Sequence, residues 1–230
     1  MLFNSIEFAV FFPLVFIGYW FVVNRNLKLQ NLFILAASFL FYGWWDWWFL
    51  ALLASGCIIN YFIGIGLNNQ QNKAKRRLLL WAALIYNLGL LVVFKYLNFF
   101  IDSFSSAFTF LGGNISSGSL NIVLPVGISF FTFQALGYII EVYRKNVTPA
   151  RDFISFSAFV SFFPLILAGP IERATHLLPQ FYSKRTFEYS KAADGLRQIL
   201  WGLFKKIVIA DNCAEYANLI FNNNSDYSGV

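Results

Sequence analysis

Long apolar runs separated by short polar turns are the dominant pattern of this chain. A helix that spans about 30 Å of hydrocarbon needs about 20 predominantly apolar residues. Segments meeting or approaching that length run over Ile6–Val23, Asn31–Trp45, Trp47–Leu67, Leu78–Leu97 and Ile122–Ile140. A sixth run, Phe153–Ala168, is followed by Gly169-Pro170 and Pro179 and contains Pro164, so its helical pattern is interrupted. A seventh stretch, 195–210, is amphipathic, and its apolar part from Ile199 to Ala210 is expected to be broken by Lys205 and Lys206. No alternating ten-residue barrel signature occurs, and open sheet edges are excluded from lipid. The predicted fold class is therefore all-α: a polytopic transmembrane helical bundle with a re-entrant or broken helix over 153–178.

The loops orient this bundle. Arg25 and Lys28 follow the first run, Lys73, Lys75, Arg76 and Arg77 the third, and Arg144, Lys145 and Arg151 the fifth. Basic loops favour the cytoplasm, which places the N-terminus outside. The tryptophan cluster at Trp44-Trp45-Asp46-Trp47-Trp48 and the segment Asn98–Asn121, with its Gly- and Ser-rich stretch at 112–118, then face out. A full crossing by Phe153–Ala168 would put Arg173, Lys184, Arg185 and Lys191 outside. A segment that returns to the cytoplasmic side removes the conflict, and 163–178 is then expected to line a cavity, because irregular backbone at membrane depth needs protein or water around it. The polar run Asn222–Val230 reads as a loop, as though the chain were the first part of a longer protein.

Composition agrees with this picture and removes others. Apolar types make up 58% of the 230 residues and charged types 12%, against about 25% charged in soluble domains. That is too little charge to cover a globule in water, which excludes soluble and disordered classes. The net charge of +6 sits in the short loops, so it orients a membrane protein rather than binding nucleic acid. Met1-Leu2-Phe3-Asn4 has no basic leader, which makes the first run a retained helix rather than a signal peptide. Cys57 and Cys213 have no CxxC or Cys/His spacing around them, so neither a disulfide framework nor a metal site is expected.

Three constellations carry candidate chemistry. On the fifth helix Gly127, Gln134, Tyr138, Glu141 and Lys145 fall on one face, with Leu136 and Ile140 on the other. An amide in mid-helix costs free energy in hydrocarbon unless it is paired, so this face should point into the bundle, either as helix–helix glue or as the wall of a substrate path. Next, Glu172 and Arg173 directly follow the Gly169-Pro170 break, as an interfacial ion pair or as a binding group. Third, Asp194, Arg197, Gln198, Trp201 and Lys205 share one side of a helix with Lys206 about 100° round. These lysines either snorkel to headgroups or form a basic wall for an anionic donor. His176 stands alone near the break, with no Asp or Ser arrangement that would make it a triad member, and reads as a hydrogen-bonded structural residue.

These motifs, in order, resemble the membrane-bound O-acyltransferase family, and within it the branch that O-acetylates bacterial alginate. The resemblance rests on Met1-Leu2-Phe3-Asn4-Ser5, Phe41-Tyr42-Gly43-Trp44-Trp45, Phe94-Lys95-Tyr96, Leu124-Pro125-Val126-Gly127 through Phe133-Gln134 with Tyr143-Arg144, Phe163-Pro164 through Gly169-Pro170-Ile171, and Gly202-Leu203-Phe204-Lys205-Lys206 with Ala210-Asp211. It covers the chain as an N-terminal portion. It implies a multi-pass inner-membrane enzyme that moves an acyl group, acetyl above all, from a cytoplasmic thioester to hydroxyls of an extracytoplasmic polysaccharide such as alginate. The acyl-CoA or acyl carrier thioester is a co-substrate, with no bound cofactor and no metal. Accessory acetyltransferase proteins outside the membrane are implied partners. The family's catalytic histidine lies on a later helix, and His176 does not match it, so this chain alone is expected to be inactive. The residues offered for the donor and substrate path are Gln134, Tyr138, Glu141, Gly169, Pro170, Glu172, Arg173, Lys205 and Lys206. A D-alanyl transferase acting on teichoic acid, a transporter, for which an internal repeat is missing, and a structural membrane subunit are the competing readings.

Overall fold

The computed structural model describes residues 1–44, 46–110, 124–167 and 169–223. Among these no strand occurs, so the all-α expectation holds. Trp45, the 112–118 stretch, Ile122, Ala168 and the terminal run from Asn224 lie outside the described residues.

The chain divides into two compact units, Phe21–Lys184 and a second one made of Met1–Trp20 with Arg185–Val230. In the second unit, Ser5 caps helix α1 (Ile6–Ile17) by accepting the Phe8 amide at 3.3 Å. Pro13 removes one ladder donor inside α1, and the helix loosens into a π turn over Gly18–Val22.

The larger unit begins with α2 (Leu27–Gly43), capped by Asn26, α3 (Trp47–Asn69), capped by Asp46, and α4 (Lys73–Leu91), capped by Asn72. Asp46 therefore serves as a helix cap as well as a member of the tryptophan cluster. Beyond α4 the helix does not stop at Leu97. It passes through a π turn at Val92–Tyr96 into α5 (Leu97–Phe110), because no Gly or Pro intervenes to break it. Trp47–Asn69 and Lys73–Ile101 are each long and apolar enough to cross a membrane. Helices Ile6–Val22, Leu27–Gly43, Ile128–Tyr143 and Phe153–Ile166 are apolar but shorter.

The fifth predicted run starts later than its apolar stretch suggests. Gly127 takes φ +76° and starts α6 (Ile128–Tyr143). A Cβ at Gly127 would lie 2.4 Å from the Ile166 carbonyl oxygen, so both the left-handed backbone and the close approach require glycine here. Helix α6 is central: it packs against α3, α4 and α7 (Phe153–Ser161). For that reason Leu136, placed on the opposite side of the wheel, is buried along with Gln134 and Tyr138, while Phe133 stays exposed.

The broken segment is broken as its prolines require. Helix α7 ends at Ser161, and α8 (Phe163–Ile166) begins with Pro164 in its first turn, where a missing N–H does no harm. The Phe163 amide freed by this break donates to Ser38 Oγ at 3.1 Å, and that hydroxyl in turn donates to the Ile34 carbonyl at 2.8 Å. A short α9 (Ala174–Leu177) and a 3-10 turn (Leu178–Phe181) follow. The second unit resumes with α10 (Tyr189–Phe204), a π turn at Lys205–Ala210 and α11 (Asp211–Asn222). The lysine pair does not interrupt this helix, since Lys is a good helix former and only the register widens.

Candidate functional site

The core of the larger unit is unusually polar for an apolar bundle, and most of its buried amides are matched between helices. Asn60 of α3 and Asn87 of α4 exchange hydrogen bonds at 3.2 and 2.8 Å, and each also donates to a carbonyl four residues earlier in its own helix, Gly56 and Ala83, at 2.8 Å. Asn31 of α2 donates to Ser155 Oγ at 2.9 Å and to the Phe181 carbonyl at 2.8 Å, tying α7 and the turn after α9 to α2. Arg76 in the first turn of α4 donates to the Tyr143 carbonyl at 2.7 Å and to the Leu67 carbonyl, so one cation closes the C-terminal ends of α6 and α3. The sequence singled out Arg76 only as a loop cation and did not single out the three asparagines. The signal was present: each is a polar side chain inside or beside an apolar run, where a partner is obligatory.

Gln134 is the exception to this matching. Its side chain is 6% exposed, and its Nε2 has no hydrogen-bond partner. It lies on a narrow cleft walled by Phe130, Phe162, Leu165 and Pro170, so α6 and the broken segment meet at this point. About 10 Å³ of the cleft is open to the centre of a water molecule, which is room for about one water. The cleft joins two of the predicted path residues, Gln134 and Pro170. Gly169 stands beside Pro170, with its amide donating to the Leu165 carbonyl at 3.0 Å. A Cβ there would come within 2.6 Å of Leu165 Cα, so this turn also needs glycine.

The remaining predicted residues sit elsewhere. Tyr138 is fully buried and does not border the cleft; its Oη accepts the Ala150 amide at 3.0 Å, and its ring packs 4.7 Å from that of Phe156. A Cβ on Gly64 would meet the Tyr138 hydroxyl at 2.6 Å, so Gly64 of α3 makes the space for this ring. Glu141 accepts from Asn146 Nδ2 at 2.8 Å near the end of α6. Glu172 pairs with His176 Nδ1 at 3.2 Å, one helical turn away, rather than with its neighbour Arg173, which is exposed. Adjacent side chains point apart on a turn, whereas i and i+4 face one another. His176 is thereby a hydrogen-bond partner of Glu172. Nearby, the Arg151 amide donates to Tyr182 Oη at 3.0 Å, and burial pushes the Tyr182 phenol above its ordinary value.

Lys205 and Lys206 belong to the second unit. Lys205 lies over the Trp201 ring at 5.9 Å, and Lys206 pairs with Asp211. Asp194 accepts from Gln198 Nε2 at 2.8 Å. In the same unit Arg185 stacks on Tyr19 at 5.5 Å and donates to its hydroxyl, while Phe187 meets Phe16 and Trp20 edge-on. Among the described residues no group of three or more His, Cys, Asp and Glu is placed to hold a metal.

Comparison with known proteins gives a consistent kinship. The chain is 38% identical over 223 residues to a probable alginate O-acetylase AlgI of Pseudomonas aeruginosa, covering 96% of this chain and 42% of the relative. It is 36% identical to the protein of that name in Azotobacter vinelandii, over 96% of this chain and 44% of the relative. A peptidoglycan O-acetyltransferase of Helicobacter pylori is 34% identical, covering 100% of this chain and 48% of the relative. The chain thus spans less than half the length of the curated relatives it matches. No family model and no solved structure matches it.

Proposed function

Because this chain belongs with the membrane-bound O-acyltransferases, as a relative of alginate and peptidoglycan O-acetylases, we propose that the whole protein moves an acetyl group from a cytoplasmic thioester, on coenzyme A or an acyl carrier, to hydroxyls of an extracytoplasmic polysaccharide. The observation that carries this reading is the kinship itself, at 34–38% identity over at least 96% of the chain, with enzymes named for two different glycans. A shared bundle serving two acceptors fits a scaffold that solves a positioning problem. Two reactants kept apart by lipid are brought to contact distance, which lowers the entropic part of the barrier.

The chemistry is a simple exchange. The sugar oxygen attacks the thioester carbonyl carbon, the carbon–sulfur bond breaks, and the hydroxyl proton passes to a general base as the thiolate leaves and is reprotonated. We place that base in the part of the relatives' length that this chain does not span. Within residues 1–230 the cleft of Gln134 and Pro170 is our candidate for a wall of the passage. An unpaired, buried amide donor is suited to hold a carbonyl or phosphate oxygen that reaches it. Glu172 and Arg173, in the same unit as the cleft, are half-exposed and exposed, and we assign them to its approach. Lys205 and Lys206, exposed in the second unit, are our candidates for first contact with an anionic donor. Multi-pass insertion in the inner membrane with the N-terminus outside, and cooperation with extracytoplasmic acetyltransferase proteins, complete the proposal.

Sealed vesicles carrying the whole protein test it. Thioester with a labelled acetyl group is supplied on one side and alginate or peptidoglycan glycan on the other. Base-labile label on the glycan is the expected result. Label that stays on the donor, or crosses unreacted into the lumen, would replace the enzyme by a carrier.

A further inference from the structure

We propose that the junction of α4 and the end of α6 binds the headgroup of an anionic glycerophospholipid. Lys73 and Arg77 flank an open cleft of about 640 Å³ whose other walls include Leu78, Trp81 and Tyr143. Both cations are exposed, and among the described residues neither meets a carboxylate. The nearest acid along α6, Glu141, is engaged by Asn146. The helix terminus does not supply the attraction either, because Asn72 Oδ1 already accepts the Ala74 and Lys75 amides at 2.8 and 3.4 Å.

Arg76, between the two free cations, has a different task. Its bonds to the Leu67 and Tyr143 carbonyls, with its guanidinium 5.4 Å from the Tyr143 ring, hold that ring in the wall of the cleft. The two outer cations are thus mounted on a fixed floor rather than on a fraying helix end. Directly along α4 from them runs an exposed apolar ridge: Leu78 is 70%, Trp81 55% and Ile85 69% exposed. These positions, three and four residues apart, share one helix face. Two cations above an apolar ridge match a phosphate above an acyl chain. A free polyphosphate would use the cations and leave Leu78 and Trp81 uncovered. Basic pockets at helix junctions beside the membrane are where anionic headgroups bind, and Trp and Tyr favour the same depth. The site needs only that α4 is embedded, and does not depend on the acyl-transfer reading.

Native mass spectrometry of the whole purified protein, titrated with phosphatidylglycerol or phosphatidylcholine, tests the site. Phosphatidylglycerol retention is expected to weaken about thirtyfold in Lys73→Gln/Arg77→Gln, since each cation near an anionic headgroup contributes about fivefold, while phosphatidylcholine retention stays the same. Lys75→Gln, which removes an exposed charge outside the cleft, is expected to leave both unchanged. Trp81→Ala is expected to weaken both lipids by a common factor. The thermal midpoint of each variant, within about 2 °C of the parent, separates lost binding from lost fold. Equal phosphatidylglycerol retention in the double variant, or an equal loss with Lys75→Gln, overturns the site. Displacement of the lipid by inorganic phosphate at comparable concentration would reassign it to a soluble anion.

Discussion

Helices α6 and α10 are each 16 residues long and each carries a polar stripe, yet they meet opposite surroundings. Along α6, Phe131, Gln134, Leu136, Tyr138 and Ile139 are all buried, on more than one face. Along α10 nothing is buried, and Leu200 and Trp201 are 69% and 58% exposed. The polar groups differ in the same sense. On α10 and its continuation they satisfy one another locally, Asp194 with Gln198 and Lys206 with Asp211. On α6 the Tyr138 hydroxyl accepts the Ala150 amide of a following segment, Glu141 accepts from Asn146 just past the helix end, and Gln134 Nε2 and Thr132 Oγ1 have no partner. A polar stripe therefore does not by itself say which way a helix faces. What distinguishes the two is burial: Thr132, Gln134 and Tyr138 of α6 lie inside the bundle, whereas Asp194 and Gln198 of α10 are exposed.

Substitutions that separate the packed helix from the unpacked one sharpen this contrast. The largest effect is expected at Gly127→Ala, where a left-handed residue gains a Cβ against the Ile166 carbonyl. Backbone strain of about 1–3 kcal/mol adds to the clash, and folded protein recovered after detergent extraction should fall sharply. Gly64→Ala should cost about 2 kcal/mol by overpacking the fully buried Tyr138 ring. In a double-mutant cycle with Tyr138→Ala that cost should vanish, because the ring that clashes is gone. A cycle that is additive would deny the contact.

Asn60→Ala and Asn87→Ala should each destabilise by about 1–3 kcal/mol, since each leaves the other amide buried with an unmatched interhelical bond. The double variant should cost less than the sum. Smallest of all, Leu200→Ser on α10 should shift unfolding of the chain by no more than about 0.5 kcal/mol, as expected of an exposed position. A cost at Leu200 that matched the one at Gly64 would erase the distinction between the two helices.

The fold class and the break after α7 were legible because they rest on local chemistry: apolar length, and Pro164, Gly169 and Pro170 as interrupters. The burial of Gln134 and Tyr138 was legible from helical spacing. The burial of Leu136 was not, because a single helix wheel cannot report how many neighbours surround it. The pairing of Glu172 with Arg173 failed for a geometric reason, since a turn of helix brings His176 round instead. The interhelical amides at Asn31, Asn60 and Asn87 were missed because each partner lies 27 or more positions away. No short spacing records such a contact, although an amide within an apolar run announces that a partner exists. The continuation of α4 into α5 was hidden by an apolar run that does not change character at a helix boundary, whereas the onset of α6 at Ile128 was marked by Pro125 and Gly127 inside the predicted run.

On the proposed function, Gln134 would serve the passage of substrate rather than the packing of the bundle. Gln134→Leu in the whole protein tests it, with acetyl transfer and thermal midpoint read on the same preparation. Replacing a buried, unpaired amide by an apolar group of similar size is neutral or stabilising for packing. The expected result is an unchanged or higher midpoint together with transfer reduced about tenfold, the loss of about one hydrogen bond in the transition state. Unchanged transfer at an unchanged midpoint would contradict it, as would a midpoint that falls by as much as it does in Gly64→Ala.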